Sequence, residues 1–240
     1  MAGHSHAKNI KHRKAAVDAK RGKAWSKCSR AIIVAAQNGG GDTQFNPSLR
    51  LAIEDARSAN MPRDTIEKAI KKGTGEGVAE RFEEVRYEGY GPNGVAIIVE
   101  ALITNANKFA ADIRVVFDKN EGKIGVPGSV SFGFTQIGQI LLRSGGRNED
   151  SVMEAALEAG ALDVSSEEDL FCIVTKPSDL LQVRDALERC GFPIEESSVL
   201  WQSQNPITLD APTAARVEKL IDALEDHDDV QKVHHNAQWE

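Results

Sequence analysis

The sequence predicts an α+β protein: an all-helical amino-terminal part followed by two small α/β units of the split βαβ, ferredoxin-like type. Three observations lead there. Apolar residues recur every three to four positions through residues 1–78, then give way to strand-like runs alternating with helical ones. A glycine-rich stretch, Gly73-Thr-Gly-Glu-Gly77, separates the two regimes. A helix–turn–strand pattern also occurs twice. Arg184-Asp-Ala-Leu-Glu-Arg-Cys-Gly191 leads to a strand ending near Trp201, and Ile221-Asp-Ala-Leu-Glu-Asp-His-Asp228 to one ending shortly before Trp239.

Taken in order, Ala19 to Ala36 is a helix whose face is Trp25, Cys28, Ile32 and Ala36, stopped by Asn38-Gly-Gly-Gly41. Pro47 suits the first turn of the next helix, with Leu49, Ala52, Ile53 and Ala56 inside. Asn60-Met-Pro62 repeats the device. A third helix buries Ile66, Ala69 and Ile70, points Lys68, Lys71 and Lys72 outward, and ends at Gly73. Beyond the linker, Val95–Ile103 is a buried-type strand, and Lys108–Lys119 a helix on Phe109, Ile113, Val116 and Phe117. Strands are expected at 129–134, 139–142, 170–175, 199–202, 207–209 and 230–234. Helices are expected at 152–161, 178–190 (on Leu181 and Leu187) and 213–224 (on Val217, Leu220 and Leu224).

The chain has 240 residues, and its formal charge of −7 conceals a strong asymmetry. Residues 1–78 carry 15 Lys+Arg against 7 Asp+Glu, a net of +8, and the rest carry 14 against 29, a net of −15. Such a division points to an anionic partner for the amino-terminal part. No apolar run is long enough to span a bilayer. The amino terminus lacks the apolar core of a secretory signal, although its basic character would also suit an organelle address. Three widely spaced cysteines, Cys28, Cys172 and Cys190, fit a reducing cytoplasm and offer no zinc spacing.

Little in the sequence suggests catalysis. Gly89-Tyr-Gly-Pro-Asn-Gly94 matches G-x-G-x-x-G, but a strand rather than a helix follows it, so it reads as a hairpin-like turn. His4, His6 and His12, and the pair His234-His235, lack neighbouring Cys or carboxylate ligands and read as surface histidines. Glu225-Asp-His-Asp-Asp229 lacks calcium-loop spacing and reads as a solvated acidic loop. Ser5 and Ser26 have no nucleophile-elbow context. No catalytic constellation, cofactor site, metal site or small-molecule substrate is expected.

The basic segment carries the functional signal. The first 30 residues hold nine Lys or Arg and one acid, Asp18, with small residues between them. Small residues let a backbone approach phosphates closely while long cationic side chains reach out to them. A solvated helix face would instead alternate Lys with Glu. The candidate nucleic-acid-binding residues are Lys8, Lys11, His12, Arg13, Lys14, Lys20, Arg21, Lys23, Lys27 and Arg30, together with Lys71 and Lys72 of the third helix. Trp25 is the one aromatic in the basic segment, so a stacking platform for single strands is not indicated.

These residues resemble the YebC family. The resemblance runs through Gly3-His-Ser5, Asn9-Ile-Lys-His-Arg-Lys-Ala-Ala16, Asp18-Ala-Lys-Arg-Gly-Lys23, Gly40-Gly-Asp42 and Leu49-Arg-Leu-Ala-Ile53. It continues in Tyr87-Glu-Gly-Tyr-Gly-Pro92, Gly128-Ser-Val130 and Leu220-Ile-Asp-Ala-Leu-Glu-Asp226, and covers essentially the whole chain from Met1. It implies three domains: 1–78, then 79–133 joined to 206–240, with 134–205 inserted between those two segments. It also implies a non-enzymatic regulator. Family members are described as DNA-binding transcriptional regulators, and also as ribosome-associated translation factors that help synthesis through proline runs, among them a mitochondrial translational activator. Both readings remain open on the residues, because phosphate contacts do not distinguish DNA from ribosomal RNA. The chain departs from the family at Thr104-Asn-Ala-Asn-Lys108, which keeps one cation of a more basic segment.

Overall fold

The computed structural model describes residues 21–75, 81–143, 148–167 and 170–239. They form two compact units: residues 133–206 with Trp239 make one, and the rest of the described chain makes the other.

In the larger unit three helices come first: α1 (Arg21–Gly39), α2 (Pro47–Ser58) and α3 (Arg63–Gly73). The expected apolar faces are the ones buried. Ile32 and Ala36 of α1 meet Leu49, Ala52, Ile53 and Ala56 of α2 and Ile66 and Ala69 of α3, with Trp25, Cys28 and Ile70 at the margin. Asn46 is buried and joins two helices. Its Nδ2 donates to the carbonyls of Ala35 and Gly40, both at 2.8 Å, and its Oδ1 accepts from the Leu49 N–H as the N-cap of α2. Gly73 closes the bundle for a steric reason: a Cβ there would lie 2.6 Å from both Ala36 Cβ and the Ile33 carbonyl of α1.

The same unit continues with β1 (Glu83–Tyr90), β2 (Ala96–Ile103), α4 (Ala106–Lys119) and β3 (Lys123–Ile124). The smaller unit supplies β4 (Phe134–Arg143), α5 (Glu149–Ala159), β5 (Asp163–Glu167), β6 (Leu170–Thr175), α6 (Leu180–Arg189) and β7 (Ile194–Ser203). After it the chain returns through β8 (Ile207–Leu209), α7 (Ala211–Glu225), β9 (Val230–His235) and β10 (Ala237–Trp239). The larger unit has a four-stranded sheet in the order β3-β1-β2-β9, antiparallel throughout, and β8 pairs with β10. Phe109, Ile113 and Phe117 of α4 and Val217, Leu220 and Leu224 of α7 are buried in this unit. At Gly89 the packing leaves no room, since a Cβ would lie 2.8 Å from the Phe117 ring. The smaller unit runs β4-α5-β5-β6-α6-β7 with sheet order β5-β6-β4-β7, so each βαβ crossover is split by an antiparallel strand, the ferredoxin-like pattern. The protein is therefore α+β.

Several local expectations need correction. Residues 129–133 are not strand: they turn, pass through a 3-10 turn at Ser131–Gly133, and β4 starts at Phe134. The cause is Glu88, a buried carboxylate on β1. It accepts the N–H groups of Gly128 (3.0 Å), Val130 (2.8 Å) and Ser131 (2.9 Å), so these donors do not enter a ladder. On α6 the buried residues are Leu180, Val183, Arg184 and Leu187, and Leu181 is half-buried. His234 is not on the surface: it is buried on β9, with Nε2 3.1 Å from Glu100 Oε2 on β2. Of Gly89–Gly94, Gly89 and Tyr90 end β1, and Gly91–Gly94 turn into β2, with Asn93 and Gly94 at positive φ and the Gly91 N–H donating to the Val95 carbonyl. Among the described residues no helix is long and apolar enough to cross a membrane.

Candidate nucleic-acid interface

Lys8, Lys11, His12, Arg13, Lys14 and Lys20 lie outside the described residues, and Arg21 and Lys23 are described in backbone only, in the first turns of α1. Helix α1 carries its inner face on the bundle and is tied down at its start by Trp25, whose Nε1 donates to the Ala59 carbonyl at 2.9 Å. Lys27 and Arg30, one turn apart, come off another side of the same helix.

These two cations are not on open surface. Lys27 Nζ donates to the carbonyl of Glu225 at 2.6 Å, and Arg30 Nη1 pairs with Asp229 Oδ1 at 2.9 Å. Arg30 Nη1 also donates to the Asp228 carbonyl, and its guanidinium sits 5.8 Å from the centre of the Phe82 ring. Glu225 is the last residue of α7, where unpaired carbonyls and the helix dipole concentrate negative charge. The segment 225–229 was expected to be a solvated acidic loop. Apart from exposed Asp228 it is half-buried, and it serves as the intrachain anion for α1. His227 stiffens it: Nδ1 accepts the Asp229 N–H at 3.2 Å, and the ring stands edge-on to Phe109 at 5.2 Å. Sequence reading missed this clasp because 198 residues separate Lys27 from Glu225, and no local pattern reports such a pairing.

Lys71 and Lys72 close the last turn of α3, Lys71 exposed and Lys72 half-buried. Cations there also complement the helix dipole. Lys68, one turn earlier, is exposed as well.

Other chemistry is sparse. Burial pushes the thiols of Cys28 and Cys172 up to about 11, so neither is a thiolate near neutral pH. Among the described residues no group of three or more His, Cys, Asp or Glu is arranged to hold a metal ion.

Comparison with known proteins decides the family. The family described as TACO1/YebC protein N-terminal domain matches residues 5–76, and the one described as TACO1/YebC second and third domain matches residues 82–237. The chain belongs to the TACO1/YebC family. A probable transcriptional regulatory protein of Caldanaerobacter subterraneus is 48% identical over 241 residues, covering 100% of this chain and 99% of that protein. One of Cupriavidus necator with the same description is 50% identical over 238 residues, covering 99% of this chain and 98% of that protein. Among solved structures, the crystal structure of a conserved hypothetical protein from Aquifex aeolicus superposes with a TM-score of 0.84 at 45% identity, covering 93% of each chain. This TACO1/YebC member therefore shares its fold with a solved structure and its full length with relatives described as probable regulators.

Proposed function

We propose that this chain is a non-enzymatic regulator of gene expression that acts in the cytoplasm and grips a nucleic-acid backbone through its basic amino-terminal domain. The observation that carries the reading is the charge division, +8 over residues 1–78 against −15 over the remainder. The description of its relatives as probable transcriptional regulatory proteins supports a DNA target. In this reading residues 1–78 are the gripping domain. Residues 79–133 with 206–240 form a second domain, and 134–205 a third domain inserted into it. The grip centres on Lys8, Lys11, Arg13, Lys14, Lys20, Arg21 and Lys23, with His12 among them and Lys71 and Lys72 as outlying contacts. Lys27 and Arg30 join only by exchanging the carbonyls and carboxylate of segment 225–229 for phosphate.

One observation favours a second reading, a ribosome-associated translation factor that contacts ribosomal RNA and relieves stalling at proline runs. Between Lys8 and Arg30 the cations are spaced by four alanines and one glycine among other residues, and Asn9 is the one amide side chain there suited to a base edge. Such a surface reads backbone shape, which suits structured RNA as well as sequence-tolerant DNA binding. Crosslinking in cells, with sequencing of both bound DNA and bound RNA, separates the two. Enrichment of promoter DNA supports the first, and enrichment of ribosomal RNA supports the second. Recovery of neither would overturn the shared premise.

A further inference from the structure

On the smaller unit, helix α5 buries one side and leaves apolar residues on another. Val152 and Ala156 are fully buried, whereas Met153, Leu157 and Leu162 are 38%, 53% and 57% exposed. Met153 and Leu157 are one turn apart and so neighbours on the helix surface. Leu162 follows at the approach to β5, an edge strand of its sheet. Scattered exposed leucines need no explanation in a folded protein, but these three are the exposed large apolar residues of this unit among those described, and they fall within one short segment.

The face is held in a fixed shape. Asn148 caps the start of α5, and Gly160 ends it in the left-handed conformation at φ 103°. The Leu162 N–H donates to the Val174 carbonyl at 2.7 Å, and Ser166 Oγ donates to Glu149 Oε1, so the helix and the edge strand are tied together.

Charge says what fits it. From residue 148 to residue 175 the chain has eight Asp or Glu and not one Lys or Arg. Glu149, Asp150, Glu154 and Glu158 are exposed on the helix that carries Met153 and Leu157. A nucleic acid is repelled by such a surface, and so is the matching face of a second copy. We infer that the outer face of α5 with the β5 approach is a docking surface for a basic amphipathic segment of a partner protein. The partner's apolar side covers Met153, Leu157 and Leu162, and its lysines and arginines meet the flanking carboxylates. This inference stands independently of the nucleic-acid reading.

The test uses the full chain and a fluorescent amphipathic helical peptide of leucine and lysine. A control peptide has the same composition with its leucines scattered. The amphipathic peptide should bind, and its contacts should map by amide chemical-shift changes to residues 149–163. Leu157→Lys and Met153→Lys, both at exposed sites, should each weaken binding about tenfold or more, equivalent to about 1.4 kcal/mol. Glu154→Gln with Glu158→Gln should weaken it less and flatten its salt dependence. Binding of a DNA duplex should be unchanged in all of them. Equal binding of the scattered peptide, shift changes confined to other surfaces, or self-association of the chain that Leu157→Lys abolishes would each overturn the proposal, the last by giving the face to a second copy.

Discussion

At the scale of single residues, Glu88 is the most informative side chain. A buried carboxylate is costly unless it is fully hydrogen-bonded, and this one accepts three main-chain N–H groups from the segment 128–131. Burial pushes its pKa up, but the N–H donors of Val130, Gly128 and Ser131 more than offset that and hold it below the usual carboxylate value. Because the folded-state pKa is depressed, its stabilisation is fully present above the ordinary carboxylate pKa and is lost as pH falls through the folded value. Glu88→Gln should therefore destabilise the fold by about 1–3 kcal/mol at neutral pH, since an amide NH₂ would confront a main-chain donor. In urea unfolding, the gap between wild type and variant should narrow in acid. A gap that stays constant from neutral pH into acid would contradict this role. The residue also explains a misreading of the sequence. Ser129–Phe134 has the apolar content of a strand, and nothing local announces that a carboxylate 42 residues upstream of Val130 takes the N–H groups of Val130 and Ser131.

At the scale of elements, legibility followed amphipathicity. Helices α1, α2, α3, α4 and α7 were readable from their apolar faces, because each buries a stripe with helical spacing. Strand β2 was readable as a continuous apolar run. Strands β1 and β5, Glu-Glu-Val-Arg-Tyr-Glu-Gly-Tyr and Asp-Val-Ser-Ser-Glu, were not, because sheet position rather than apolar patterning makes them strands. The candidate site was legible as a composition but not as a geometry: the sequence marked the cations and gave no sign that Lys27 and Arg30 meet the end of α7. That clasp yields an element-scale prediction. Asp229→Ala removes the intrachain carboxylate facing Arg30, a half-buried pair of modest worth. Polyanion binding should tighten by up to about fivefold, and Arg30→Ala should cancel the gain. Unchanged affinity in Asp229→Ala would make the clasp purely structural.

At the scale of the whole molecule, the chain joins two oppositely charged parts, +8 over residues 1–78 and −15 over the remainder. At about 0.15 M salt the Debye length is roughly 8 Å, so an acidic body repels a bound polyanion mainly at close range while the basic part holds it. A fragment of residues 79–240, at −15, should show no binding to duplex or structured RNA, and residues 1–78, at +8, should retain some. The most direct measurement is a salt titration of nucleic-acid binding by the full chain beside a variant with Lys11, Arg13, Lys14, Lys20, Arg21 and Lys23 all changed to Glu. With about five to eight phosphate contacts, log affinity against log salt should fall with a slope of about −4 to −7. The reversed variant should remain folded and lose binding. A flat salt plot, or a folded reversed variant that binds as well as wild type, would contradict a phosphate grip by the basic segment.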